Sequence, residues 1–152
     1  MKGRSADVVS YEINMLRHCH GRLVPTEPDD QETLNVYLEA YLVHYRVLLE
    51  FFAPKQGKHG TDFPNDLTIH RQAAWATRTV SEVEIEAVTK ESAPLRAKWF
   101  TDISQQLSHC TQLRYQKKFD WPIEAMHSAM EKVIAVFDGL DAIARDGAAQ
   151  RI

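Results

Sequence analysis

Apolar side chains that return every three or four residues along four stretches of the chain constrain its fold more than any other feature of the sequence. This spacing is typical of amphipathic helices, because it gathers the apolar side chains on one helix face. The pattern is clearest over residues 30–52, where the repeating set is Leu34, Leu38, Tyr41, Leu42, Tyr45, Leu48, Leu49 and Phe52. We therefore predict an all-α fold, an antiparallel bundle of four to five helices with this segment as its spine.

Capping residues and prolines indicate where the helices begin and end. The first helix is expected over about residues 5–23, with an apolar stripe of Val8, Met15, Leu16, Cys19 and Leu23. Ser92 suits a helix cap and Pro94 a first turn, so a later helix is predicted from there to about residue 114. The last helix opens with Asp120 and Pro122, and Gly139 and Gly147 are expected to loosen its end.

The middle of the chain is less regular. Residues 53–66 are rich in glycine, proline and aspartate, which predicts a long irregular loop between the second helix and the later ones. Ser81 and Glu84 have the spacing of a helix-capping box, yet Val83 and Ile85 alternate as in a strand, so residues 81–88 fit either structure. One domain over residues 1–152 is expected, with flexible ends at 1–4 and 147–152.

Charge and composition narrow the functional classes. The net charge is -3 and no long block of like charge occurs, so a nucleic-acid partner stays open but unsupported. No apolar run approaches the roughly 18 residues of a membrane span, and the first residues lack the apolar region of a secretory signal, so a cytoplasmic location is expected. Cys19 and Cys110 form no CxxC pair and are expected to be free, buried thiols. No motif indicates a cofactor.

One carboxylate falls where the helical pattern favours an apolar side chain. Glu12 lies in the middle of the apolar stripe of the first helix, so it needs a partner, and Arg96 or Arg114 is the expected one. His44 and Arg46 flank the stripe of the second helix on opposite sides, each roughly 100° from its centre. We expect the two side chains to point at different neighbours.

Signatures of enzymes and metal sites are weak. Glu124 and His127 form the only Glu-x-x-His motif, whereas a di-metal bundle needs two such motifs. A three-histidine site drawing on His44, His109 and His127 lacks paired spacing, so no metal is expected. A HEPN-type ribonuclease needs an arginine followed a few residues later by histidine, but His109 and Arg114 stand in the reverse order.

Ordered short motifs over residues 37–137 carry a resemblance to a family. They are HYRVLLEFF at 44–52, TDF at 61–63, Trp75, LSHCTQLR at 107–114 and FDWPI at 119–123. This series resembles a group of small uncharacterised bacterial all-helical proteins, with a distant likeness to the HEPN class. The chain departs from the pattern at Ser108 and Cys110, where alanine and leucine are expected. The resemblance implies a helical fold and no particular reaction, and it points to His44, Arg46, Asp62, Phe63, Trp75, His109, Thr111, Arg114 and Trp121.

Two groups of candidate residues follow from these patterns. The candidate polar cluster, functional or structural, is Glu12, His44, Arg46, Asp62, His109 and Arg114. The candidate packing or latch residues are Phe63, Trp75 and Trp121. In one arrangement the long loop folds over the bundle, pairs Asp62 with Arg46 or Arg114, and seats Phe63 and Trp75 against the second helix.

The sequence is consistent with three functions. If the protein is an enzyme, its catalytic residues are unknown. The leading hypothesis is a non-enzymatic interaction or regulatory module that associates with itself or with another protein, since two-fold dimers are the commonest oligomers. The second is a HEPN-like nucleic-acid-processing or toxin-system protein that uses His109 and Arg114. The third is a metal or small-ligand binder that uses the histidines.

Overall fold

A computed structural model describes residues 4–24, 30–55, 68–70, 80–108 and 120–149. The described residues form four helices, α1 (Arg4–Leu23), α2 (Gln31–Phe52), α3 (Glu82–Ser108) and α4 (Ile123–Ala149), and contain no strand. The prediction of an all-α fold is therefore confirmed. None of the four helices combines the length and apolar composition needed to cross a membrane.

Successive helices run antiparallel around the bundle. Contacts between α1 and α2 join Glu12 to His44 and, nearer the other end, His18 to Tyr37. Contacts between α2 and α3 join Arg46 to Phe100 and Ala53 to Arg96. Contacts between α1 and α4 join Arg17 to Glu131 and His20 to Glu124. In each pair the residue number rises along one helix as it falls along the other, so the predicted antiparallel bundle is confirmed.

Helix α2 begins where its sequence predicts. Asp30 is the N-cap, and its Oδ1 accepts a hydrogen bond of 2.9 Å from the backbone N–H of Thr33. The Thr33 hydroxyl donates to Oδ2 of the same carboxylate at 2.8 Å. These bonds lower the pKa of Asp30. Such a cap satisfies an amide that the helix itself cannot pair.

Helix α3 begins eleven residues earlier than Ser92 and Pro94 predict, counting from residue 93 to residue 82. Its start is a capping box, in which the backbone N–H of Ser81 donates to Glu84 Oε2 at 2.8 Å and the backbone N–H of Glu84 donates to Ser81 Oγ at 3.3 Å. The strand alternative for residues 82–88 is wrong. Pro94 lies inside the helix, and buried Ser92 donates its hydroxyl to the carbonyl of Val88 at 2.9 Å.

Helix α4 follows Pro122, whose carbonyl accepts the backbone N–H of Met126 at 2.9 Å, so the predicted start is confirmed. Helix α4 continues through Gly139 and Gly147 to Ala149. The expectation that these glycines loosen its end stays a prediction. A glycine inside a helix costs only about 1 kcal/mol relative to alanine, and the flanking turns are sufficient to keep the helix intact.

The core is built on α2, as its apolar stripe predicts. Tyr41, Leu42, Tyr45, Leu48, Leu49 and Phe52 are buried, while Leu34 and Leu38 are half-buried. The Tyr45 hydroxyl donates to the Met126 carbonyl at 3.2 Å, and Phe51 and Phe52 pack edge-to-face on Phe137. Cys19 is the predicted free, buried thiol, and burial raises its pKa. Val8 is exposed rather than in the core, because the buried stripe of α1 centres on Val9, Ile13 and Leu16.

Candidate functional site

Two histidines stack face to face where α1 meets α4. The rings of His20 and His127 lie 3.7 Å apart between centroids, with an angle of 4° between their planes. Nε2 of His20 is 2.9 Å from Glu124 Oε1, and Nε2 of His127 is 3.4 Å from Glu131 Oε1. Each imidazole therefore has its own carboxylate. We call Arg17, His20, Glu124, His127 and Glu131 the histidine seam.

The charges of the histidine seam favour a neutral His127. Arg17 donates two hydrogen bonds of 2.8 Å to the Glu131 carboxylate, which lowers the pKa of Glu131. Burial lowers the pKa of His127, neighbouring His20 lowers it further, and Glu131 and Glu124 oppose the effect. Two imidazolium rings at this separation would repel each other. Burial and the neighbouring imidazole therefore favour the neutral form of His127.

Two buried polar atoms border the seam. Within the described part of the chain, neither the Tyr41 hydroxyl nor Nδ1 of His127 has a hydrogen-bond partner. The two rings lie 6.0 Å apart, and burial raises the pKa of Tyr41. An unsatisfied buried group usually costs about 1–3 kcal/mol. Tyr41, beside the seam, and His127, within it, thus each keep one buried polar atom without a partner among the described residues.

The imidazoles and carboxylates of the seam are groups that can exchange protons. Among the described residues, no hydrogen bond joins a serine, threonine or cysteine side chain to either imidazole. The same residues hold no group of three or more His, Cys, Asp or Glu side chains able to bind a metal ion. The sequence pointed to Glu124 and His127 only as a lone Glu-x-x-His motif, although Glu124, His127 and Glu131 have the spacing of one helix face. Arg17 and His20 share a face of α1 by the same rule.

Glu12 finds its partner on α2, not in an arginine. Its Oε2 is 2.6 Å from Nδ1 of His44, and the two side chains are only 16% and 13% exposed. The predicted pairing with Arg96 is wrong, because the antiparallel register of α1 and α2 brings His44 level with Glu12. Tyr11 packs its ring edge-on against the imidazole, with centroids 6.1 Å apart. The carboxylate orients the ring, whose Nε2 donates to no group in the described residues.

Arg46 lies on the other side of α2, as its spacing predicts. Its guanidinium is 5.2 Å from the centre of the Phe100 ring on α3, and Nη2 is 3.4 Å from Glu50. Arg96 lies 4.0 Å over the same ring and donates Nη1 to the Ala53 carbonyl at 3.0 Å. The candidate polar cluster is therefore divided, with Glu12 and His44 beside α1 and Arg46 beside α3.

The face of α2 between these two flanks is apolar and exposed. Val36, Val43 and Val47 are 65%, 43% and 36% exposed. At roughly 100° per residue, these three valines and half-buried Ala40 fall within about 60° of the helix circumference. We call Val36, Ala40, Val43 and Val47 the valine stripe. The exposed valines of the stripe therefore lie in one line along the helix and are not scattered singly over the surface.

The remaining candidate residues have separate outcomes. Trp121 is half-buried and packs on Trp99, with ring centroids 6.2 Å apart. Asp62, Phe63, Trp75, His109, Cys110, Thr111 and Arg114 lie outside the described residues. The loop latch and the HEPN-like pair of His109 and Arg114 therefore stay predictions.

Comparison with known proteins does not identify a family for this chain. Neither a scan against models of protein families, nor a search of curated proteins, nor a search of solved structures gave a match to the chain.

Proposed function

We propose that this chain is a non-enzymatic helical module that forms a two-fold homodimer through the valine stripe of α2. The observation that carries the proposal is the alignment of Val36, Ala40, Val43 and Val47 at spacings of four, three and four residues. This spacing is that of the apolar seam between two paired helices. The stripe lies on the outer side of a helix whose opposite side is already in the core.

The stripe is complementary to itself when two copies run antiparallel. In that register Val36 lies opposite Val47 of the second copy, and Ala40 lies opposite Val43. Small side chains allow the two backbones to approach closely, and the two-fold axis passes near residues 41 and 42. Every contact then occurs twice, as two-fold symmetry requires.

Charges at the edge of the stripe support the antiparallel direction. Glu39 and Arg46 both flank the stripe on its α3 side, one on each side of the two-fold axis. In the antiparallel register each Glu39 approaches Arg46 of the second copy, which gives two ion pairs per dimer. The 3.4 Å contact between Arg46 and Glu50 is long, so Arg46 can turn to a second carboxylate.

Analytical ultracentrifugation of the purified protein tests the proposal. We expect a species of twice the 17.4 kDa chain mass at micromolar concentration. Val43→Asp buries two carboxylates per dimer and should raise the Kd at least about 100-fold. Val83→Asp is the matched control, because Val83 is 80% exposed on α3 and far from the stripe in sequence. A wild-type protein that stays monomeric, or equal effects of the two variants, would overturn the proposal.

Charge reversal tests the direction of the helices. Glu39→Arg alone and Arg46→Glu alone should each weaken the dimer, because each places like charges together. The double variant should restore most of the affinity. A double variant whose dimer affinity stays low would contradict the antiparallel register. Dimerisation through the stripe is tested separately, by the Val43→Asp variant.

A further inference from the structure

A solvent-open cleft of about 330 Å³ lies between the end of α2 and one face of α3. Its lining includes Ala53, which directly follows α2, and Ala93, Arg96, Ala97 and Phe100 from α3. Ala93 and Ala97 are one turn apart and exposed, and their small side chains leave the surface of α3 beside Arg96 open to solvent. We call these five residues the arginine cleft. Its volume is at the lower end of the range of small-molecule sites, roughly 300–1,000 Å³.

Arg96 is held in place with part of its hydrogen-bonding capacity unused. Its guanidinium stacks 4.0 Å over Phe100, and Nη1 donates to the carbonyls of Ala53 at 3.0 Å and Leu49 at 3.5 Å. An arginine has five N–H donors in a planar fork. Nε and Nη2 of Arg96 donate to no group among the residues that the structure describes. A fixed guanidinium with free donors is suited to bind a carboxylate.

The charge around the cleft is unbalanced. Arg46 is 5.2 Å from the same Phe100 ring, so two guanidiniums flank one aromatic side chain. Glu50 contacts Arg46 at 3.4 Å and is half-exposed, and no second carboxylate contacts either arginine in the described segments. Nε of Arg46 is also buried without an acceptor there. Arg96 itself has no carboxylate partner in these segments, so it can take up one negative charge even where Arg46 pairs with Glu39 of a second copy.

We infer that the arginine cleft binds a small monoanionic carboxylate with a flat apolar body. The carboxylate would pair with the free donors of Arg96, while the body would cover Phe100 and the exposed methyl groups of Ala93 and Ala97. A single guanidinium without a carboxylate partner favours a monoanion over a dianion. The volume admits a ligand about the size of an aromatic acid. Binding at the cleft does not require self-association through the valine stripe.

Titration of the full-length, isotope-labelled protein with three probes tests the inference by NMR. Benzoate supplies charge and ring, benzamide supplies the ring without charge, and inorganic phosphate supplies charge without the ring. We expect benzoate to shift the amide signals of Ala97 and Phe100 with a Kd on the order of 1 mM, typical of so small a ligand. Benzamide and phosphate should each bind at least about tenfold more weakly, which corresponds to about 1.4 kcal/mol.

Ala97→Leu fills the cleft without burying a new polar group or disturbing the core, because Ala97 is exposed. It should weaken benzoate binding at least about tenfold. Ala135→Leu, at an exposed position of α4, is the matched control and should leave binding unchanged. The inference is overturned by a wild-type protein that binds none of the probes, by benzamide or phosphate binding as tightly as benzoate, or by equal affinity of the Ala97→Leu variant.

Discussion

Replacing Pro94 with alanine should stabilise the protein, and the sign of the effect tests where α3 begins. Pro94 is exposed in the interior of a helix that starts at Glu82, so it has no N–H to pair with the carbonyl of Lys90. Proline in a helix interior is about 3 kcal/mol less favourable than alanine. Proline also restricts the unfolded chain, which returns about 0.4–1 kcal/mol. The net expectation is about 2 kcal/mol of added stability.

The alternative start gives the opposite sign. If the helix began at Pro94, proline would suit its first turn. Alanine there would then only increase the conformational entropy of the unfolded chain, which destabilises the protein by about 0.4–1 kcal/mol. Urea denaturation followed by circular dichroism measures the difference directly. If the helix is continuous, the melting temperature of Pro94→Ala should lie about 4–8 °C above that of the wild-type protein.

Pro122→Ala is the matched control, because Pro122 precedes Ile123 at the true start of α4. It should destabilise by about 0.4–1 kcal/mol for the reason given for a first-turn proline. A loss of stability in Pro94→Ala as large as that in Pro122→Ala would refute a continuous helix through residues 82–108.

Three further predictions concern polar groups. Tyr41→Phe removes a buried hydroxyl without a partner among the described residues, so it should leave the free energy of unfolding unchanged or raise it by up to about 1–3 kcal/mol. Tyr45→Phe removes the hydrogen bond to the Met126 carbonyl and should lower the free energy of unfolding by about 0.5–1.5 kcal/mol. Burial holds the pKa of His127 below 6.5, so as pH falls the imidazole is protonated in the unfolded chain before it is protonated in the folded protein. The free energy of unfolding should therefore fall as pH drops through 6.5. In urea titrations at several pH values, His127→Gln should reduce this pH dependence. Ser81→Ala removes the cap of α3 and should cost about 0.5–2 kcal/mol of unfolding free energy.

The helical fold could be predicted because the apolar period of α2 runs without interruption from its cap to Phe52. The start of α3 could not, since Ser92 and Pro94 carry a strong local signal for a first turn. The packing of Val88 and Ile85 into the core favours helix there, and such tertiary burial outweighs local preference. The burial of Ser92 shows the same effect, because its hydroxyl bonds back to the helix it was expected to cap.

Spacing along one helix predicted part of the sites but not their pairing. It placed His44 and Arg46 on opposite sides of α2, and the structure agrees. It did not identify His44 as the partner of Glu12, because that contact depends on how α1 slides along α2. It also missed His20 beside Glu124, a contact between residues 104 positions apart. Periodicity along a helix carries no information on the register between helices.

The histidine seam has a consequence for the motions of α1. The polar contacts that join α1 to α4 include partly exposed ion pairs, such as Arg17 with Glu131, whose side chains are 44% and 33% exposed. Dissolved ions weaken attraction of this kind, while apolar burial such as that of Leu16 persists. Raising ionic strength should therefore accelerate amide hydrogen exchange in α1 before it does so in α2, making the first helix a locally opening unit.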